Sequence, residues 1–159
     1  MTTRTSRLDL RVDGPRVTLT GRIDDAASLE PLAAQLPTGG VVIDTSGVTF
    51  VNSVGMREWL RLVRALRARG PVVLERVADV LITQMNLIPE FATSVQISSF
   101  HAQYVCASCG HESAPLVDVQ THAKTLQAMK APKLPCPECG AAMDLGDFPE
   151  RYLSIFRNR

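Results

Sequence analysis

The 159-residue sequence predicts an α/β fold: a mixed β-sheet flanked by helices over residues 1–100, and a small cysteine-bearing unit with a C-terminal helix over residues 101–159. Three observations carry that prediction. Short apolar, β-branched runs alternate with stretches whose apolar residues recur at helical spacing, the order expected of a sheet with helices packed against it. The chain opens on two alternating segments joined by a turn, which adds an antiparallel pair to the arrangement. Every lysine and all four cysteines fall between Cys106 and Cys139, while the first hundred residues have neither, so composition divides the chain near Phe100.

Each element has its own signal. Leu8, Leu10 and Val12 alternate with polar neighbours, and Asp13, Gly14 and Pro15 turn the chain into Val17, Leu19 and, past Gly21, Ile23. Asp24 and Asp25 are placed to cap a helix whose Leu29, Leu32, Ala33 and Leu36 share one face, with Pro37, Gly39 and Gly40 ending it. Val41, Val42 and Ile43 read as a strand buried on both faces, ended by Asp44 and a turn at Ser46 and Gly47. Val48, Phe50 and Val51 follow, and then the polar pair Asn52 and Ser53 precedes a helix with Met56, Trp59, Leu60, Val63 and Leu66 on its apolar face and a stop at Gly70. Residues 71–75 supply another strand. Val77, Val80, Leu81, Met85 and Ile88 suggest a third helix, interrupted by Pro89, and residues 95–100 return to strand character.

Charge excludes some partners. Eleven arginines face ten acidic residues up to Phe100, and six basic face six acidic residues after it, which together make the 17 and 16 of the whole chain. Neither region has the basic excess of a phosphate-binding surface. The N-terminus lacks an apolar core of signal-peptide length. The most apolar uncharged stretch, residues 80–89, is too short to cross a bilayer. The expectation is a soluble, cytoplasmic protein without membrane insertion.

Residues 41–55, VVIDTSGVTFVNSVG, pack a buried strand, a turn and a serine-bearing helix start into one segment. This resembles the signature of the STAS domain family of bacterial anti-sigma-factor antagonists, in which a strand ending in Asp leads through a small turn to an Asp-Ser-x-Gly helix start. The order of elements over about residues 8–100 is similar to that family as well. Ser53 and Gly55 match the motif, whereas Asn52 stands where the family has its acidic residue and Val54 where a small polar one often follows. By position alone Ser53 is a helix cap, accepting an N–H bond that stabilises a helix by about 1 kcal/mol relative to alanine. The resemblance implies a second role, since the matching serine is phosphorylated by a partner kinase that is itself the anti-sigma factor. A helix N-terminus suits a phosphate, with free N–H donors and the positive end of the dipole, and the added charge would repel an acidic or apolar partner. Two readings follow for this segment, a phosphorylated switch and a docking module without one.

Arg57, Arg61 and Arg64 fall at i, i+4 and i+7 on the polar face of the same helix, with Arg67 and Arg69 in its last turn. This stripe reads as a solvated face with cations near the helix C-terminus, or as a docking surface for an acidic partner, because the resemblance places partner binding on this helix.

Cys106-Ala-Ser-Cys109-Gly110 and Cys136-Pro-Glu-Cys139-Gly140 are two matched Cys-x-x-Cys-Gly knuckles. Each lets two thiolates grip one ion while the glycine permits the tight turn, and two together complete a tetrahedral all-thiolate site with no position left for an activated water. One structural zinc in a zinc ribbon is the reading, ahead of two disulfides, which a cytoplasmic setting disfavours. Iron is the competitor: Tyr104, Val105 and the knuckles are similar to those of rubredoxins, whose single iron transfers electrons, but the aromatic core expected between them is missing. Strand character around residues 115–119 and a short helix within 120–129 fill the spacer. His101, His111 and His122 are expected on the surface, and Phe148, Tyr152, Leu153 and Phe156 are spaced to fold back onto the body of the protein.

The sequence has no phosphate-cradling glycine loop, no evident nucleophile and base pair, and no open metal site. The functional expectation is therefore a non-enzymatic bacterial signalling or scaffold protein that binds a protein partner, an anti-sigma-factor-like kinase or a signalling scaffold, through its first domain. Nucleic-acid binding through the ribbon, supported only by Lys124, Lys130 and Lys133, and electron transfer through iron are the alternatives.

Overall fold

The computed structural model describes residues 2–5, 8–25 and 29–157, with backbone alone at residues 2–5 and 30. A six-stranded mixed sheet dominates it. β1 (Thr2–Thr5), β2 (Leu8–Asp13), β3 (Arg16–Ile23), β4 (Val41–Val51), β5 (Val72–Glu75) and β6 (Gln96–Ile97) lie side by side in chain order. The β1–β2 and β2–β3 pairs are antiparallel, and β3–β4, β4–β5 and β5–β6 are parallel. The hairpin read from Leu8 onward is present, and β1 adds a further strand to its edge.

Alternation decides which face is covered. Leu8 and Leu10 on β2, Val17 and Leu19 on β3, Val41 and Ile43 on β4, and Val72 and Leu74 on β5 are buried, while their neighbours Arg11, Thr18, Val42 and Val73 are exposed or half-buried. Period-2 burial of this kind marks a sheet packed on one side. The covering helix is α1 (Ser53–Arg67), which packs on β3, β4 and β5 and on a 3-10 helix at Glu30–Gln35. Its buried residues are Gly55, Met56, Trp59, Leu62, Val63 and Leu66. Leu62 replaces the expected Leu60, which is only half-buried, because the buried stripe is centred one position round the helix.

Leu29, Leu32, Ala33 and Leu36 are all buried as their spacing implied, but they sit on a 3-10 helix rather than an α-helix. Pro31 in its first turn is compatible with any helix start, since an N–H there would have no intrahelical acceptor. The far end is held from outside: the Arg69 guanidinium donates to the carbonyls of Ala33, Leu36 and Pro37. Arg69, read from the sequence as a solvated helix-end cation, is therefore a structural clamp.

The break expected at Asp44 and the turn at Ser46 and Gly47 do not occur. β4 runs unbroken for 11 residues. The Asp44 carboxylate does accept bonds from the Ser46 N–H (2.9 Å) and hydroxyl (2.8 Å), the local chemistry of a turn. Irregularities in the pairing with β3, between Thr18 and Thr20 and between Gly21 and Arg22, absorb the deviation without ending the strand.

After β5, Arg76 adopts a left-handed conformation (φ 49°) and turns the chain toward α2 (Asp79–Met85) and α3 (Phe91–Ser94). The strand expected over residues 95–100 is split. Gln96 and Ile97 close the large sheet as β6, whereas β7 (Ser99–His101) pairs antiparallel with β10 (Leu116–Asp118). Composition divides the chain at a point that lies inside β7.

The last third is built from short pieces. β8 (Tyr104–Val105), β9 (Glu112–Ser113), β11 (Leu134–Pro135) and β12 (Ala142–Leu145) form a four-stranded sheet in the order β11-β12-β8-β9. The spacer carries β10 and α4 (Ala123–Gln127) where its pattern suggested. α5 (Pro149–Leu153) and a 3-10 turn at Ser154–Phe156 close the chain. Tyr152, Leu153 and Phe156 are buried as expected, but Phe148 is 74% exposed. It precedes Pro149 in extended backbone and stands outside the helix whose face buries the others. Among the described residues, no helix is long and apolar enough to cross a membrane.

Candidate metal centre and docking face

The four cysteines converge. Cys106 Sγ lies 3.5 Å from Cys139 Sγ, Cys109 Sγ lies 3.6 Å from Cys136 Sγ, and all four sulfurs are within 4.8 Å of one another. A disulfide requires about 2.05 Å, so the thiols are free. Four sulfurs at about 2.3 Å from a tetrahedral ion stand about 3.8 Å apart. The cluster has the dimensions of one tetrahedral ion.

Both knuckles are built the same way, which explains the convergence. The Cys106 N–H donates to the His111 carbonyl (2.8 Å) and the Gly110 N–H to the Cys106 carbonyl (2.8 Å). In the second knuckle the Cys136 N–H donates to Ala141 (2.7 Å) and the Gly140 N–H to Cys136 (2.9 Å). Gly110 (φ 79°) and Gly140 (φ 77°) occupy the left-handed region where a side chain would be strained. The first cysteine of each knuckle is buried and the second exposed, so the site has an inner pair and an outer pair.

The four thiols titrate unequally. At Cys109 and Cys139 backbone donors lower the thiol but the neighbouring thiols and burial raise it overall, whereas backbone donors lower the inner pair. The Cys109 N–H is the main cause that lowers the Cys106 thiol to about 7. At Cys136 burial opposes ionisation, but the N–H groups of Cys139 and Glu138 outweigh it and its thiol is also lowered. Thiolate is the form that ligates metal.

No histidine joins the cluster. Half-buried His101 uses Nδ1 against the Ala114 carbonyl at 2.8 Å, and His111 contributes its backbone carbonyl to the first knuckle. Lys124, Lys130 and Lys133 are all exposed, and Lys133 pairs with Asp144 at 3.3 Å.

The α1 start is assembled differently from the sequence reading. Asn52, not Ser53, is the cap: its side-chain oxygen accepts the Gly55 N–H at 2.8 Å, and its backbone is extended. Ser53 is the first helical residue, exposed, and its hydroxyl makes no hydrogen bond among the described residues. Asparagine is as good a cap as serine, and a shift of one residue transfers the role. Val54 beside Ser53 is 40% exposed. Gly55 is required by space, since a Cβ there would lie 1.9 Å from the Ile23 carbonyl oxygen. The helix start is thereby pressed against the end of β3. On the adjoining strand ends, the Arg22 guanidinium lies 3.8 Å over the Phe50 ring, a cation–π contact.

The arginine stripe is partly spent within the molecule. Arg64 makes a bidentate pair with Glu90 of the segment before α3 (2.6 and 2.7 Å), and Arg61 pairs with Glu58 at 3.1 Å. Arg57 is exposed and pairs with no acidic group among the described residues. Of the three arginines expected to meet a partner, Arg61 and Arg64 are paired within the molecule and Arg57 is not, among the described residues.

Compared with known proteins, the chain matches no family model and no curated sequence.

Proposed function

We propose that this chain is a non-enzymatic protein-binding module of STAS-like type, docking a signalling partner at the start of α1, and that its four cysteines hold one structural zinc. The observation that carries the docking reading is the division of labour at residues 52 and 53. Asn52 supplies the cap, so the exposed Ser53 hydroxyl beside exposed Val54 bonds to nothing among the described residues. A solvent-facing apolar residue, an exposed hydroxyl and exposed Arg57 one turn away make a surface suited to a protein partner. Phosphate on Ser53 would meet the N–H groups of the first turn, and in the STAS-like reading this is the charge that releases an anti-sigma-factor-like kinase.

Zinc is favoured over iron by the absence of aromatic packing between the knuckles, and a structural role by the completeness of the ligand set. A colourless protein with one zinc per chain is the expected result of metal analysis. A coloured, redox-active protein would replace this reading with electron transfer. For docking, Ser53→Ala should retain a captured partner that Ser53→Asp loses. Equal capture by the two variants would remove the switch and leave an unregulated docking module.

A further inference from the structure

We infer that the four-cysteine module is a metal-dependent cover on the sheet: loss of the ion would uncover the apolar flank formed by α2 and β7 and lower the stability of the whole chain, including the distant helix α1. The inference rests on the metal reading above and adds a consequence that this reading does not contain.

The strands of the module cannot hold by themselves. β8, β9 and β11 are two residues long and β12 is four, below the size at which isolated pairs are stable in water. Each knuckle joins two of them: the first runs from β8 at Cys106 toward β9, and the second from β11 at Cys136 toward β12. β8 and β12 pair at Tyr104 with Leu145 and at Val105 with Asp144. Tyr104 is buried, and its hydroxyl donates to the Pro132 carbonyl at 2.7 Å.

From β12 the chain passes into α5, which seats the module on the sheet domain. Phe156 stacks on Phe100 with ring centroids 5.1 Å apart. α5 packs on α2, whose Leu81 and Met85 are fully buried. Backbone bonds cross the same boundary. The His101 N–H donates to Val77 (2.8 Å), the Val119 N–H to Ser98 (3.0 Å), and the Ile155 N–H to the Asn86 side chain (2.8 Å). Arg76 ties this boundary to the centre of the sheet, because its N–H donates to Ser99 Oγ at 2.9 Å while its guanidinium pairs with Asp44 on β4. The buried residues of the two parts form one continuous cluster. Groups in one packed cluster share stability, and coupling between two sites acts equally in both directions.

Trp59, the only tryptophan, is fully buried on α1 and reports on the sheet domain without touching the metal. The full chain, loaded with zinc, is treated with a chelator while a metallochromic dye counts released ion, and its thermal unfolding is followed by Trp59 fluorescence. The expected result is a Trp59 transition that falls to lower temperature on zinc release and returns on zinc addition. Zinc release with an unmoved Trp59 transition would overturn the cover and leave the metal site standing, whereas a chain that neither contains nor takes up zinc would overturn both. Phe156→Ala tests the reverse direction through competition with the chelator. Coupling requires zinc affinity at least about fivefold weaker than in the parent chain, and an unchanged affinity would also overturn the cover.

Discussion

The two parts of this molecule reach an ordered fold by different means. The sheet and α1 bury Trp59, Ile43, Leu62, Leu74 and their neighbours between long elements, so hydrophobic burial alone can offset chain entropy there. The four short strands around the knuckles are two to four residues long and fully bury only Tyr104 and Met143 among their large side chains, the other buried residues of this part lying in β10, α4, α5 and the last turn. Around the short strands four sulfurs are brought within 4.8 Å of one another. Apolar periodicity is distributed over many residues and tolerates single losses, whereas a ligand set is concentrated in four atoms and tolerates none.

The sharpest way to break the contrast is at a ligand. Metal binding in zinc-finger peptides contributes on the order of 10 kcal/mol at pH 7, so Cys106→Ser should abolish stoichiometric metal and melt the β8–β12 pairing. Metal analysis with amide hydrogen exchange would read both effects, and retained protection at Tyr104 would count against dependence on the ion. Next in size is Gly55→Ala. The new Cβ would meet the Ile23 carbonyl at 1.9 Å, and relieving such overpacking costs about 1–3 kcal/mol, visible as a lower urea midpoint.

Smaller still is the exchange of roles at the helix start. Asn52→Ala should cost about 1 kcal/mol as a lost cap, while Ser53→Ala, at an exposed position without a bond, should stay within about 0.5 kcal/mol. A larger loss at Ser53 than at Asn52 would reverse the assignment. The smallest expected effect is on acid stability. Burial pushes the Asp44 carboxyl up, but the Ser46 N–H and hydroxyl and the Arg76 guanidinium together hold it below its ordinary value. A depressed carboxyl stabilises the fold above its unfolded-state pKa of about 3.9, and that contribution is lost as pH falls through the lower folded value. Asp44→Asn should therefore flatten the acid limb of the stability curve below about pH 4, measured by denaturation across pH.

Much of the fold was legible in the sequence because its signals are local. Leu8, Leu10, Val17 and Leu19 alternate at period two, and Met56, Trp59, Val63 and Leu66 recur at helical period; both sets are buried as their spacing implies. The cysteine pairs announce themselves through a fixed spacing followed by glycine. The misreadings arose where local chemistry was satisfied without its usual outcome. Asp44 and Ser46 make turn-like bonds inside a continuous strand, since β3 alongside accommodates the irregularity. Arg69 looked like a solvated helix end because its three carbonyl acceptors lie over thirty residues away in the chain. Phe148 looked like part of a buried face because spacing cannot show that the helix begins one residue later, at Pro149.

The sequence by itself determined the alternation of strands and helices, the two knuckles and the serine-bearing helix start, since each is encoded by residues near one another in the chain. Tertiary structure alone decided that Arg69 clamps the 3-10 helix, that Arg64 is spent on Glu90, and that β7 and Phe156 join the cysteine module to the sheet. The physical reason is distance along the chain. Periodicity and spacing are properties of neighbours, while the partner that consumes a charge or covers an apolar flank is chosen only when remote segments meet.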